Sequence, residues 1–149
     1  MNMNMNMSEC QGKLHPYFET ATTQNPKYDK RWKGGEDALY VAPNRRFVCV
    51  MDGVGGWIEI LVDAGLMTKE MVGRIKYEYN QRYLKGELQT LNQILDESVM
   101  KCKAKGSTTC VMVELEEEVL DPQNIVLKTT NLGDSGYIIL RPEEDGQVK

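Results

Sequence analysis

The stretch Phe47-Val48-Cys49-Val50-Met51-Asp52-Gly53-Val54-Gly55-Gly56-Trp57 decides how this chain is read. Its first five residues are apolar without a break, which suits a strand buried on both faces. The run ends on a carboxylate followed by glycines. A carboxylate on a glycine-flanked bend can reach a hard cation while its small neighbours let other oxygens approach. A second stretch of the same kind lies upstream, Lys33-Gly34-Gly35-Glu36-Asp37-Ala38. Between the two, Ala38 to Ala42 reads as a strand and Pro43-Asn44-Arg45 as a turn. The strands then form an antiparallel hairpin, whose two open ends are neighbours. Glu36 at the entrance and Asp52 at the exit are therefore expected to converge.

Two convergent carboxylates suit Mg²⁺ or Mn²⁺. These ions prefer oxygen ligands, and Mg²⁺ keeps several waters with only one or two protein carboxylates. Glu36 and Asp52 would supply the carboxylates and the Gly53 carbonyl a further oxygen. Two such ions a short distance apart can hold a hydroxide and orient it at phosphorus. The same residues also suit plain turns, and spacing alone leaves both readings open.

Downstream, Asp63 to Tyr83 has a helical period: Ala64, Met67, Met71, Val72, Ile75, Tyr79 and Tyr83 recur at three- to four-residue steps. Gly86 is its stop. Thr90-Leu91-Asn92-Gln93 has the capping-box pattern, and Leu91, Ile94, Leu95, Val99 and Cys102 form a second stripe ended by Gly106. The Met and Tyr residues of these stripes read as core packing. From Ser107 the period changes to strands, at Thr108 to Leu115, Ile125 to Asn131 and Tyr137 to Leu140. Asp121 to Asn124 and Gly133 to Gly136 are the turns between them. Asp145-Gly146 signals a hairpin with only three residues beyond it, so the chain is expected to stop inside a domain. The order of strands, two helices and strands predicts an α+β fold. The helices at Asp63–Tyr83 and Thr90–Lys105 are expected to pack on one face of a sheet. The far face would then be open, and exposed apolar area of that kind promotes self-association.

Composition narrows the partners. The chain has 149 residues, enough for one domain, and a formal net charge of -4. That balance argues against nucleic acid as the main partner. Arg45-Arg46 and the basic residues from Lys27 to Lys33 read as solvated loop charge. Cys10, Cys49, Cys102 and Cys110 have neither zinc-ligand nor redox-pair spacing, and Cys49 and Cys110 lie in apolar runs as small buried hydrophobes. Met1 to Met7 alternates Met and Asn, unlike a signal peptide, and it lacks the Arg-rich character of a transit peptide. No apolar run reaches membrane-spanning length. Reduced thiols in an intracellular compartment, cytoplasmic in preference to mitochondrial, are the expectation. Residues 1–32 read as a mostly irregular arm with one short strand near Tyr17-Phe18, and 33–149 as the body of the domain.

Two other motifs fail on inventory. Gly133-Asp134-Ser135-Gly136 looks like a serine-protease nucleophile segment, but a triad needs a histidine base, and the one histidine, His15, lies in the arm. Gly53-Val54-Gly55-Gly56 lacks both the GxGxxG spacing and the lysine of a phosphate-cradling loop.

Four motifs in order do point to a family. Gly35-Glu36-Asp37-Ala38, Met51 to Trp57, Gly106-Ser107-Thr108-Thr109-Cys110 and Asn131 to Gly136 resemble the metal-dependent protein serine/threonine phosphatases of type 2C. The form of Asp52 to Trp57, followed by Val62-Asp63-Ala64-Gly65, looks most like the mitochondrial-type, T-cell activation phosphatase-like branch. The likeness runs from about Lys33 to Arg141. Each motif alone is weak, whereas four in order, with two helices between the second and third, are specific.

The resemblance implies an α-β-β-α sandwich, here partial, with central antiparallel sheets, a pair of antiparallel helices and a two-metal Mg²⁺ or Mn²⁺ site at the sheet edge. It implies hydrolysis of phosphoserine and phosphothreonine in protein substrates by a metal-activated water. Carried over by motif, Asp52 bridges both metals, Glu36 and the Gly53 carbonyl bind one of them, Asp37 orients metal waters, and Asp134 matches a third, weaker metal position. Asp52 and Glu36 would thus be the catalytic pair. The segment from Gly106 matches a structural strand start. Two departures stand out. Relatives often carry a phosphate-binding arginine where this chain has Trp32, leaving Lys33 or Arg31 as substitutes. The family's two later aspartates have no counterpart up to Lys149, so 33–149 corresponds to the N-terminal part of the catalytic domain and the two-metal cage is incomplete. The alternative reading is a truncated, catalytically weak or inactive relative that acts as a binding or regulatory module.

Overall fold

A computed structural model describes residues 16–86, 89–118 and 124–141. The hairpin forms as the sequence predicts. β1 (Ala38–Val41) pairs antiparallel with β2 (Phe47–Met51), Ala38 opposite Met51 and Val41 opposite Val48. Burial alternates along β2, however: Phe47, Cys49 and Met51 are fully buried, Val48 is partly buried and Val50 is exposed. The expectation of a strand buried on both faces is corrected to one buried face. Successive strand side chains point to opposite sides, and the helices cover one side only. On the other side Leu39 and Val50, partners across the hairpin, are both exposed.

The helices owe their limits to local chemistry. α1 (Ala64–Lys85) starts at Asp63, whose carboxylate accepts the Gly65 N–H at 2.9 Å, and ends at Gly86 in the left-handed conformation. α2 (Leu91–Lys101) starts with the predicted capping box: Thr90 Oγ1 accepts the Gln93 N–H and Gln93 Oε1 accepts the Thr90 N–H. It stops at Lys101, short of the predicted Lys105. Glu70 of α1 accepts the N–H groups of Lys103 and Ala104, which draws the chain out of the helix and back along α1. Glu78 of α1 pairs with Lys101 at 2.5 Å. Going back along α1 from Glu78 to Glu70, the contacts advance from Lys101 to Lys103 and Ala104, so the two segments run antiparallel.

β3 (Cys110–Glu117) pairs with β2, and β4 (Ile125–Leu132) with β3, giving a four-stranded antiparallel sheet in the order β1-β2-β3-β4. The helix layer on this sheet makes the fold α+β. The core lies between them: Phe47, Cys49 and Met51 of β2 and Cys110 and Met112 of β3 meet Met71, Ile75 and Tyr79 of α1 and Leu91, Ile94 and Leu95 of α2. Phe47 and Tyr79 stack with ring centroids 4.2 Å apart. Tyr137–Leu140, predicted as a strand, forms none. Its run has strand propensity but pairs with no strand among the described residues, and strand geometry depends on cross-strand partners. The described part of the arm, from Pro16 on, holds more regular structure than expected. Tyr28–Lys33 forms a 3₁₀ helix closed by Gly34, and near Tyr17 a single backbone hydrogen bond, Phe18 N–H to the Arg45 carbonyl, replaces the expected strand. The predicted turns at Asp121–Asn124 and Asp145-Gly146 fall wholly or largely outside the described residues. No described helix is long and apolar enough to cross a membrane.

Candidate metal centre

Where β2 leaves the sheet, Asp52 and Gly53 run beside the segment that opens β3. Thr109 ties them together: its N–H donates to the Asp52 carbonyl at 2.9 Å, and its hydroxyl accepts the Asp52 N–H at 3.2 Å. The same hydroxyl lies 2.6 Å from Ser135 Oγ, which anchors the turn carrying Asp134. Gly53 forms a bridge with Thr108, Val54 N–H donates to the Ser107 carbonyl, and the Trp57 indole donates to Ser107 Oγ at 2.6 Å. The Gly106 to Cys110 segment is therefore the strut that holds the loop after β2.

Glu36 enters from the other side of the hairpin. Its carbonyl accepts the Thr68 hydroxyl of α1 at 2.6 Å. It lies so close to Gly53 that a Cβ there would stand 2.6 Å from it. Only glycine allows that approach, and it sets Glu36 against the end of β2. The outcome is a cleft of about 710 Å³ lined by Glu36, Asp37, Asp52, Gly53 and Asp134, with Thr109 at its back. The four residues assigned to the metal by motif, and Asp37 assigned to its waters, thus open onto one space.

The electrostatics record the crowding. Burial, a hydrogen bond with Asp37 and the charges of Asp37, Asp134 and Glu36 push the Asp52 carboxyl above the usual carboxylate range. A cluster of this kind calls for a cation. The oxygen-only donor set fits Mg²⁺ or Mn²⁺, which need only one or two carboxylates and complete their shells with water. Among the described residues, however, no three acidic, Cys or His groups are gathered tightly enough to enclose an ion as they stand. Both oxygens of Glu36 are engaged by the ammonium groups of Lys30 and Lys33.

The two predicted phosphate-binding residues lie elsewhere. Lys33 is held at 2.6 Å by Asp63 and at 3.4 Å by Glu36, and does not line the cleft. Chiefly through their mutual hydrogen bond, Asp63 is held below the usual carboxylate range and Lys33 above the usual lysine value. Arg31 turns to the Pro26 carbonyl and Asn25 Oδ1, each at 3.3 Å, and Trp32 is exposed. The cations that do line the cleft are Lys27 and Lys30. Sequence reasoning missed Lys30, Thr68 and Thr109. Thr68 falls between two members of the α1 stripe, and that polar intrusion on a buried face was the available signal.

No family model matches the chain. Curated relatives do, and three of them illustrate the likeness. A probable protein phosphatase 2C 80 of Arabidopsis thaliana is 32% identical over 116 residues, 78% of this chain and 26% of the relative. A probable protein phosphatase 2C 26 of the same plant is 36% identical over 127 residues, 83% of this chain and 38% of the relative. The protein phosphatase PTC7 homolog fig of Drosophila ananassae is 32% identical over 124 residues, 78% and 35% of the two. Over this part of their length the chain is similar to type 2C protein phosphatases. It spans no more than 38% of the length of any of these three relatives. Among solved structures, the photosystem II phosphatase PBCP superimposes with a TM-score of 0.56 at 18% identity, covering 74% of this chain and 60% of that one. This likeness supports the type 2C fold for the sheet and its helices.

Proposed function

We propose that the cleft is part of the active site of a metal-dependent protein serine/threonine phosphatase, using Mg²⁺ or Mn²⁺ and acting on phosphoserine and phosphothreonine in protein substrates. The observation that carries this reading is the convergence of Glu36, Asp37, Asp52, the Gly53 backbone and Asp134 on one cleft in a chain whose relatives are named protein phosphatases. Glu36 and Asp52 would hold the divalent ions with the Gly53 carbonyl, Asp37 would orient water, and Asp134 would serve a weaker position. When bound, such ions acidify water and neutralise charge on a phosphoryl group. The protein holds the backbone of both residues in place, Asp52 through Thr109 and Glu36 through Thr68. It also keeps Asp52 among like charges, so that a cation is the favoured occupant.

The test is Mn²⁺ binding followed by calorimetry, together with Mn²⁺-dependent phosphate release from a phosphothreonine peptide. Asp52→Asn is expected to weaken Mn²⁺ binding by about 10–100-fold and to abolish any metal-dependent release. Mn²⁺ binding that ignores this substitution would refute the assignment.

A further inference from the structure

We propose that Lys30 is a built-in counter-ion, its ammonium occupying the cation position at Glu36 until a divalent metal displaces it. The inference rests on the metal-site reading above. It starts from the 3₁₀ helix Tyr28–Lys33, which holds Lys30 by its backbone: its N–H donates to the Lys27 carbonyl at 2.9 Å and its carbonyl accepts the Gly35 N–H at 3.1 Å. From that fixed base the side chain enters the cleft and its Nζ pairs with Glu36 Oε2. Only 14% of the side chain is exposed, which is low for a lysine. A Cβ on Gly55 would stand 2.7 Å from Nζ and 3.0 Å from Glu36 Oε2. The ammonium is thus seated between the carboxylate and the loop that follows Asp52.

The other neighbouring cations do not share this place. Lys33 reaches the other Glu36 oxygen at 3.4 Å but is held more closely by Asp63 at 2.6 Å. Arg31 turns to the arm, and Lys27 is exposed at the rim. Among the described residues, Lys30 alone faces Glu36 from inside the cleft without a second carboxylate partner.

An ammonium is well suited to be temporary. It is a single charge with three donors on a flexible four-carbon stem. It satisfies a buried carboxylate that would otherwise be costly, yet supplies half the charge of Mg²⁺ or Mn²⁺. An ion taking Glu36 Oε2 must displace it, and the stem lets Nζ swing toward the rim without moving the backbone. Lys30 is therefore a positioning residue: it keeps Glu36 aligned in the metal-free protein and sets the threshold for metal entry.

Mn²⁺ titration by calorimetry and thermal melts in chelator, on wild type, Lys30→Met, Lys30→Arg and Lys27→Met, test this. Lys30→Met is expected to bind Mn²⁺ about tenfold more tightly and to melt lower in chelator. Lys30→Arg should retain wild-type or weaker Mn²⁺ affinity, and Lys27→Met should match wild type. A merely structural lysine would give the reverse sign, since its loss would disturb Glu36 and weaken binding. Mn²⁺ bound by Lys30→Met no more tightly than by wild type overturns the proposal, as does equal tightening in Lys27→Met. Failure of wild type and Lys30→Met alike to bind Mn²⁺ would instead sink the metal-site reading on which it rests.

Discussion

β2 ends in Met51, which solvent does not reach, and the next residue, Asp52, opens onto the cleft. The two residues belong to regions built on opposite terms. Behind Met51 the core side chains are apolar and packed between sheet and helices. In front of it, Asp52, Asp37, Glu36 and Asp134 repel one another, and folding holds together charges that would separate if free. The comparison teaches that the helix-covered face stabilises this chain while the carboxylate edge draws on that stability. A site meant for cations is expected to look strained without them.

The largest effect tests the packed side. Phe47 is fully buried and stacks on Tyr79. Phe47→Ala should destabilise the chain by about 3–5 kcal/mol, the usual cost of deleting a buried aromatic ring. Urea denaturation read by circular dichroism measures it. A loss below about 1 kcal/mol would mean that this face is not the source of stability.

A smaller effect of opposite sign tests the edge. Asp52→Asn removes one of the repelling charges without changing the shape of the side chain. In chelator the variant should be more stable than wild type, by no more than about 1 kcal/mol, because solvent screens exposed charges. Saturating Mn²⁺ should reverse the order, since only wild type gains from binding. A variant less stable than wild type in chelator would break the comparison, because Asp52 would then be a net contributor to the fold.

Most of the packed region was legible in the sequence because its rules are local. The Thr90-Gln93 box and Gly86 mark helix ends by chemistry within a few residues, and both act as read. The hairpin was legible for the same reason, and with it the approach of Glu36 to Asp52. What was missed depends on distant partners. Val50 is exposed because of what covers the other side of the sheet, and Tyr137–Leu140 stays unpaired because strand formation needs a neighbour. Arg31 and Lys33 were named as the sequence neighbours of Trp32, where relatives carry an arginine, but the 3₁₀ helix from Tyr28 turns Lys30 into the cleft instead. No periodicity announced that turn.

The smallest effect contrasts two carboxylates. Asp52 faces other carboxylates, whereas Glu70 faces only donors: Arg74 at 2.5 and 2.9 Å and the N–H groups of Lys103 and Ala104 at 3.1 and 2.8 Å. Arg74 above all, then the two amides, lower the Glu70 carboxyl from its ordinary 4.5 to about 2. The sign follows from linkage. A carboxyl more acidic in the folded chain than in the unfolded one contributes stability that is full above about 4.5 and is lost as pH falls through about 2. Glu70→Gln removes that titration but keeps an amide oxygen to accept from Lys103 or Ala104. The stability gap between wild type and Glu70→Gln should therefore be constant near neutral pH and close as the pH drops from about 4.5 to about 2. Urea midpoints measured across that range decide it. A gap that persists unchanged to pH 2 would show that Glu70 acts through packing and not through charge. A gap that closes would mark it as the satisfied counterpart of Asp52, a carboxylate whose charge the fold uses where the cleft leaves its own waiting for a cation.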